Sequence, residues 1–132
     1  MPIILENISY TYMPKSNMEQ VALSNISLTV NEGEFLGIIG HTGSGKSTLL
    51  QHMNGLMQPS SGRVTVDGLD LSLRKERIEA RSRVGLVFQY PEYQLFEETV
   101  YKDVAFGPRN LGVAESEIQE RVEEALTLVG LA

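Results

Sequence analysis

Apolar and polar positions change rhythm along this chain, and each rhythm predicts an element. Across IILENISYTY they alternate loosely, at Ile4, Asn7, Ile8, Ser9 and Tyr10, as on a half-exposed strand. Met13 to Gln20 is a polar loop. ALSNISLTV then alternates cleanly from Leu23 through Asn25, Ile26, Ser27, Leu28 and Thr29 to Val30 and predicts a second strand. After a turn at Asn31-Glu32-Gly33-Glu34, the run Phe35 to Ile39 is continuously apolar, the pattern of a strand buried on both faces. A helix is predicted to open inside the glycine-rich stretch that follows. It should run to about Met53 or Asn54, where Gly55 suits a C-terminal cap.

The second half repeats this alternation of types. Pro59-Ser60-Ser61-Gly62 is a turn, and RVTVDGLDL is a strand broken by Asp67-Gly68, a hairpin signal. RKERIEARSR is helix-like, and Val84 to Phe88 predicts another buried strand. TVYKDVAFG predicts a short helix. In ESEIQERVEEALTLVG the apolar residues Ile118, Val122, Ala125, Leu126 and Val129 fall on one face of an amphipathic helix that ends at Gly130. Antiparallel strands first, then buried strands alternating with helices, make the class α/β. No internal repeat or low-complexity linker is read.

Composition narrows the function. The 132 residues are one domain's worth of chain. A net charge of −6 argues against a general nucleic-acid binder. Without cysteine there are no disulfides and no cysteine zinc sites. The N-terminus lacks the basic-then-apolar pattern of a secretory signal. No apolar run approaches the ~20 residues that span a bilayer, so a membrane link would pass through a partner. Six of the 11 basic residues fall between Arg63 and Arg83, but Glu76 and Glu79 interleave with them, which reads as a solvated helix face. Asp67 precedes Gly68 and reads as turn chemistry rather than as a metal ligand.

The chemistry concentrates in Gly40-His41-Thr42-Gly43-Ser44-Gly45-Lys46-Ser47, which fits G-x-x-x-x-G-K-[ST] at every fixed position. Glycines let the loop bend and bring amides close to a phosphate without Cβ clashes. The helix opening near Lys46 adds free N–H groups and its positive dipole end. Lys46 supplies a charge for the β- and γ-phosphates, and the Ser47 hydroxyl is placed for Mg²⁺. The run of loop residues through Thr48 forms the candidate phosphate site. A dinucleotide G-x-G-x-x-G loop would need glycine where Thr48 stands.

SLTVNEGEFLGIIGHTGSGKSTLLQHMNGLMQPSSGRVTVDG resembles the opening half of an ABC-type ATPase, a P-loop NTPase core with an N-terminal antiparallel β subdomain. LVFQYPEYQLFEETVYKDVAFGPRNLG is similar to the ATPase subunits of energy-coupling factor (ECF) transporters, which import vitamins and transition-metal ions such as cobalt. The resemblance implies ATP and Mg²⁺ as cofactors. Tyr12 matches the aromatic that stacks on adenine, with Tyr10, on the same strand face, as the rival. Gln89 matches the glutamine that reaches Mg²⁺ and the attacking water, so Lys46 and Gln89 are the catalytic candidates and Ser47 and Gln89 the metal candidates. Tyr90, Tyr93, Leu95 and Phe96 either meet a membrane partner or pack under the following helix. The implied partners are a second ABC ATPase subunit, a transmembrane coupling subunit and a substrate-binding membrane subunit, with no nucleic acid. The implied location is peripheral, on the cytoplasmic face of the cell membrane.

The same resemblance shows what the 132 residues lack. They contain no LSGGQ-type signature, no apolar strand ending in Asp-Glu, and no downstream histidine, since His41 and His52 lie in and just after the loop. Residues 1–132 therefore read as the N-terminal part of one ABC ATP-binding domain, carrying β subdomain, P-loop and Gln89 regions and breaking off before the signature. Hydrolysis by these residues alone is not expected. Other readings stand beside this one, among them an ABC protein of DNA repair or translation, which the ECF-like QYPEYQLFEETVYKDVAFGP opposes. A self-sufficient P-loop kinase or GTPase would need its own acceptor site and a Walker-type aspartate. A third is a nucleotide-binding interaction fragment without catalysis.

Overall fold

The computed structural model describes residues 2–132, which form two compact units, 2–86 and 87–132. In the first, β1 (Ile3–Tyr12) is central. It pairs antiparallel with β2 (Gln20–Val30) on one side and with β3 (Ser61–Val66) on the other, and β3 pairs with the short β4 (Leu69–Asp70). The register sets Ile3 between Val30 and Val66, and Leu5 between Leu28 and Val64. Asp67 and Gly68 make the β3–β4 turn with φ of 51° and 80°, the left-handed pair that a tight hairpin requires.

Two helices cover this sheet. α1 (Lys46–Met53) contributes Leu49 and Met53, and α2 (Arg74–Arg83) contributes Ala80, to a core shared with Leu5, Ile8, Leu23, Val64, Val66 and Leu71. Gly55 follows the end of α1 with φ 81°. Three of the arginines of α2 find partners nearby, only one of those partners an acid interleaved in the helix, Glu79. Arg83 pairs with Asp67 and Glu79, Arg77 donates to the Leu71 carbonyl, and Arg81 donates to the Gly55 carbonyl.

The second unit holds a 3₁₀ turn (Pro91–Gln94), α3 (Val100–Asn110) and α4 (Glu115–Leu128). Thr99 caps α3 by accepting from the Lys102 amide. Ala105, Ile118 and Val122 are its buried core, with Leu126 packed against them. Gly130 closes α4 at φ 75°, where the Leu131 amide donates to the Leu126 carbonyl at 2.8 Å.

Two predicted strands do not form. Phe35–Ile39 and Val84–Phe88 carry no strand structure, and Phe35 and Ile39 are fully exposed. In the second run Val84 packs on the first unit's core, whereas Val87 is 78% exposed. The cause is pairing. A strand buried on both faces needs neighbours on both edges to satisfy its backbone, and the strands of the described residues are committed to the antiparallel sheet. The antiparallel sheet with its helices is the N-terminal portion of the expected α/β architecture.

Candidate nucleotide site

The phosphate loop lies between the end of β2 and α1. Gly43 and Gly45 sit at φ 83° and 82°, a conformation costly to any residue with a Cβ. At Gly45 a Cβ would also stand 2.5 Å from the Ala22 carbonyl oxygen, so that position is closed to side chains twice over. Within the loop the Ser44 amide donates to the His41 carbonyl at 3.1 Å. α1 begins at Lys46 with Gly45 as its N-cap and no side-chain cap, which leaves its first-turn amides open to an anion.

Lys46 turns back into this loop. Its Nζ donates to the Gly40 carbonyl at 2.6 Å and to the His41 carbonyl at 3.2 Å. A Cβ at Gly40 would lie 2.6 Å from Ser44 Oγ and 4.0 Å from Lys46 Nζ, so glycine there keeps the interior of the cradle clear. Ser47 is exposed in the first turn of α1, as are His41, Thr42 and Ser44 on the rim. His41 Nδ1 lies 3.0 Å from the Thr42 carbonyl. A left-handed glycine loop, a free helix N-terminus, an ammonium and an exposed hydroxyl suit a nucleotide polyphosphate with its Mg²⁺.

Tyr12 and Thr48 are brought together. They share a 2.8 Å hydrogen bond between Tyr12 Oη and Thr48 Oγ1, and Thr48 is buried in the first turn of α1. Tyr10 points from the same strand face, its ring edge-on to Tyr12 at 4.9 Å and to His52 at 5.2 Å. Tyr12 therefore bonds the first turn of the phosphate-loop helix, while Tyr10 meets the same helix one turn later, at His52. His52 is fully buried and places Nδ1 2.7 Å from the Thr48 carbonyl, a role that sequence reasoning missed. Its i, i+4 spacing from Thr48 was the available signal.

Gln89 belongs to the second unit, exposed, with Nε2 3.5 Å from Tyr90 Oη. Tyr90 and Tyr93 stand 5.6 Å apart and Phe96 meets Phe106 of α3 edge-on at 4.8 Å, so Phe96 packs against the following helix while both tyrosines stay largely exposed. Among the described residues no cluster of three or more acidic, histidine or cysteine side chains could hold a metal ion by itself. A Mg²⁺ held by one hydroxyl and phosphate oxygens needs none. No helix of the described residues is long and apolar enough to cross a membrane.

Loop, helix and sheet together define the class as that of the P-loop fold. The sequence profile of the ABC transporter family matches residues 23–132, and the chain belongs to that family. It is 54% identical over 132 residues to the energy-coupling factor transporter ATP-binding protein EcfA2 of Clostridium perfringens (strain 13 / Type A), covering 99% of this chain and 46% of that protein. The chain thus spans about half the length of the curated relatives it matches. Among solved structures it is similar to cbiO1 of Clostridium perfringens, described as part of the ABC transporter complex cbiONQ. The TM-score is 0.78 at 40% identity, over 98% of this chain and 50% of that one. It is also similar to the ATP-binding cassette MJ0796, solved as a dimer in a post-hydrolysis state with ADP and Pi, with TM-score 0.80 at 30% identity, over 98% and 58% of the two chains.

Proposed function

We propose that residues 1–132 are the nucleotide-grasping N-terminal part of the ATP-binding domain of an ECF-type ABC importer. The observation that carries this reading is the loop itself, with Gly43 and Gly45 left-handed, Gly40 open, and Lys46 Nζ held by the Gly40 and His41 carbonyls at the mouth of α1. Amides from Gly40 to Thr48 would hold the phosphates of ATP, and Lys46 would leave its carbonyls to meet the β- and γ-phosphates. Tyr12 would stack on adenine. Ser47 would hold Mg²⁺, which when bound neutralises charge on the phosphates. The relatives named as ECF ATP-binding proteins support the transporter class.

In the whole protein, a second ABC ATPase subunit would complete the ATP site. The segment Gln89–Phe96 would pass the closing motion to a transmembrane coupling subunit on the cytoplasmic face of the membrane. A separate membrane subunit would select the cargo, a vitamin or a transition-metal ion such as cobalt. Titration of the 132-residue chain with Mg–ATP tests the nucleotide reading. Weak saturable binding is expected, reduced at least about tenfold in Lys46→Ala, the scale of a lost charge-assisted contact. Binding that Lys46→Ala leaves intact, or a preference for guanine over adenine nucleotides, contradicts it.

A further inference from the structure

Four side chains close a circuit between the end of β1 and the first two turns of α1. Tyr12 bonds Thr48 through its hydroxyl, the Thr48 carbonyl bonds His52 Nδ1, the His52 ring meets the Tyr10 ring, and Tyr10 meets Tyr12. Backbone pairing holds this end of the strand along one edge only. The β1–β3 ladder stops at Ser9–Ser61, so Tyr10 and Tyr12 sit where β1 is laddered to β2 only. Beyond Tyr12 the chain leaves the sheet through Met13 and Lys15, both at positive φ.

Chemistry fixes one proton of the circuit. A carbonyl only accepts, so His52 Nδ1 carries the hydrogen in its bond to Thr48. The Thr48 hydroxyl has one proton and two acceptor sites. Either hydroxyl can donate in the Tyr12–Thr48 bond, since Tyr12 Oη also lies 3.9 Å from Met57 Sδ; where Tyr12 donates to Thr48, the Thr48 proton is free for an oxyanion at the N-terminus of α1. The circuit sets the platform ring and Thr48 at a fixed separation.

We propose that Tyr10 and His52 are positioning residues that fix the distance between the adenine platform, Tyr12, and the phosphate grip at Thr48. This rests on the nucleotide reading above. A ligand held at both ends gains from its second contact only where the two sites already stand at the ligand's own span. Every loosened link makes binding restore that span at the expense of affinity. The base end should weaken while the phosphate end does not.

The experiment compares Mg–ATP with Mg–tripolyphosphate on the full 132-residue chain by NMR titration, which reads millimolar affinities. Wild type should bind ATP more tightly than tripolyphosphate. Tyr10→Leu and His52→Leu should each lose about three- to tenfold for ATP, the span of one net hydrogen bond or ring contact, with tripolyphosphate unchanged. Tyr10→Phe keeps the ring and should retain the wild-type ratio. Tyr12→Phe cuts the Thr48 link at a half-buried position without opening the core, and it should lose a similar factor for ATP only even where a core variant fails to fold. Equal losses for both ligands, or an unchanged ratio in Tyr12→Phe, overturn the proposal. Wild-type binding of tripolyphosphate with no gain for ATP removes the platform, and the proposal with it, while sparing the phosphate grip. Binding of neither ligand overturns the nucleotide reading as well.

Discussion

Single residues in this chain are constrained mostly by backbone conformation and by what their donors meet. Gly45 combines a left-handed φ with the nearby Ala22 carbonyl, so Gly45→Ala should destabilise the first unit by about 1–3 kcal/mol, measured by urea unfolding. Glycine's place in the motif was legible; that its constraint comes partly from β2 was not. Asp70 shows how a surface carboxylate follows its turn. The Ser72 amide donates to it, and this bond, with Arg63 nearby, holds its carboxyl below the ordinary 3.8. A depressed folded value means the contribution is complete above the unfolded pKa and is lost as pH falls below about 3.8. Urea midpoints at pH 5 and pH 3 should therefore converge in Asp70→Asn relative to wild type. The Tyr12–Thr48 bond was not readable at all, because 36 residues separate its partners and only the docking of α1 on the sheet brings them together.

At the scale of elements, β1 and β2 carry the same tripeptide, Asn-Ile-Ser, at residues 7–9 and 25–27, and the fold sets the two against each other. Ile8 pairs with Ile26, both asparagines sit at φ 50°, and the bonds are reciprocal: the Asn7 amide donates to Ser27 Oγ and the Asn25 amide to Ser9 Oγ. Each strand thus bulges at an asparagine, a residue type that accepts the left-handed region, and a serine of the other strand satisfies the amide this frees. The duplicated tripeptide was visible in the sequence, but the bulge was not, because alternation alone reads straight through it. Ser9→Ala or Ser27→Ala should each cost about 1 kcal/mol, and Asn25→Val more than either, by chemical denaturation. α3 offers a comparable local test. Thr99→Ala removes its N-cap and should cost about 1 kcal/mol of stability in the second unit, seen as faster amide exchange in residues 100–103.

The molecule as a whole carries an apolar surface that its own described residues do not cover. Phe35 and Ile39 are fully exposed and Val87 largely so. Exposed apolar side chains outside helix and strand favour association. Sedimentation velocity should show concentration-dependent self-association of the chain, diminished in the double variant Phe35→Ser, Ile39→Ser. Catalysis also belongs to this scale. The groups that hold phosphate lie within one loop and one helix, whereas hydrolysis needs a positioned water and transition-state stabilisation acting as a unit. Steady-state ATP hydrolysis by the 132 residues should equal the buffer background, and Lys46→Ala should not lower it.

The sequence by itself determined what depends on near neighbours. The bounds of α1, the Asp67-Gly68 turn, the ending of α4 at Gly130 and the glycine pattern of the phosphate loop all follow from local backbone preference and spacing, and all appear where the residues place them. Only the tertiary structure decided which apolar runs became strands, since a strand's backbone is satisfied by other strands and not by itself. Phe35–Ile39 and Val84–Phe88 have the residues of buried strands without the neighbours, while β1 gains two. The same dependence on distant partners set the His52 ring against Tyr10, since spacing along the chain ties His52 to Thr48 and Tyr10 to Tyr12 but not helix to strand.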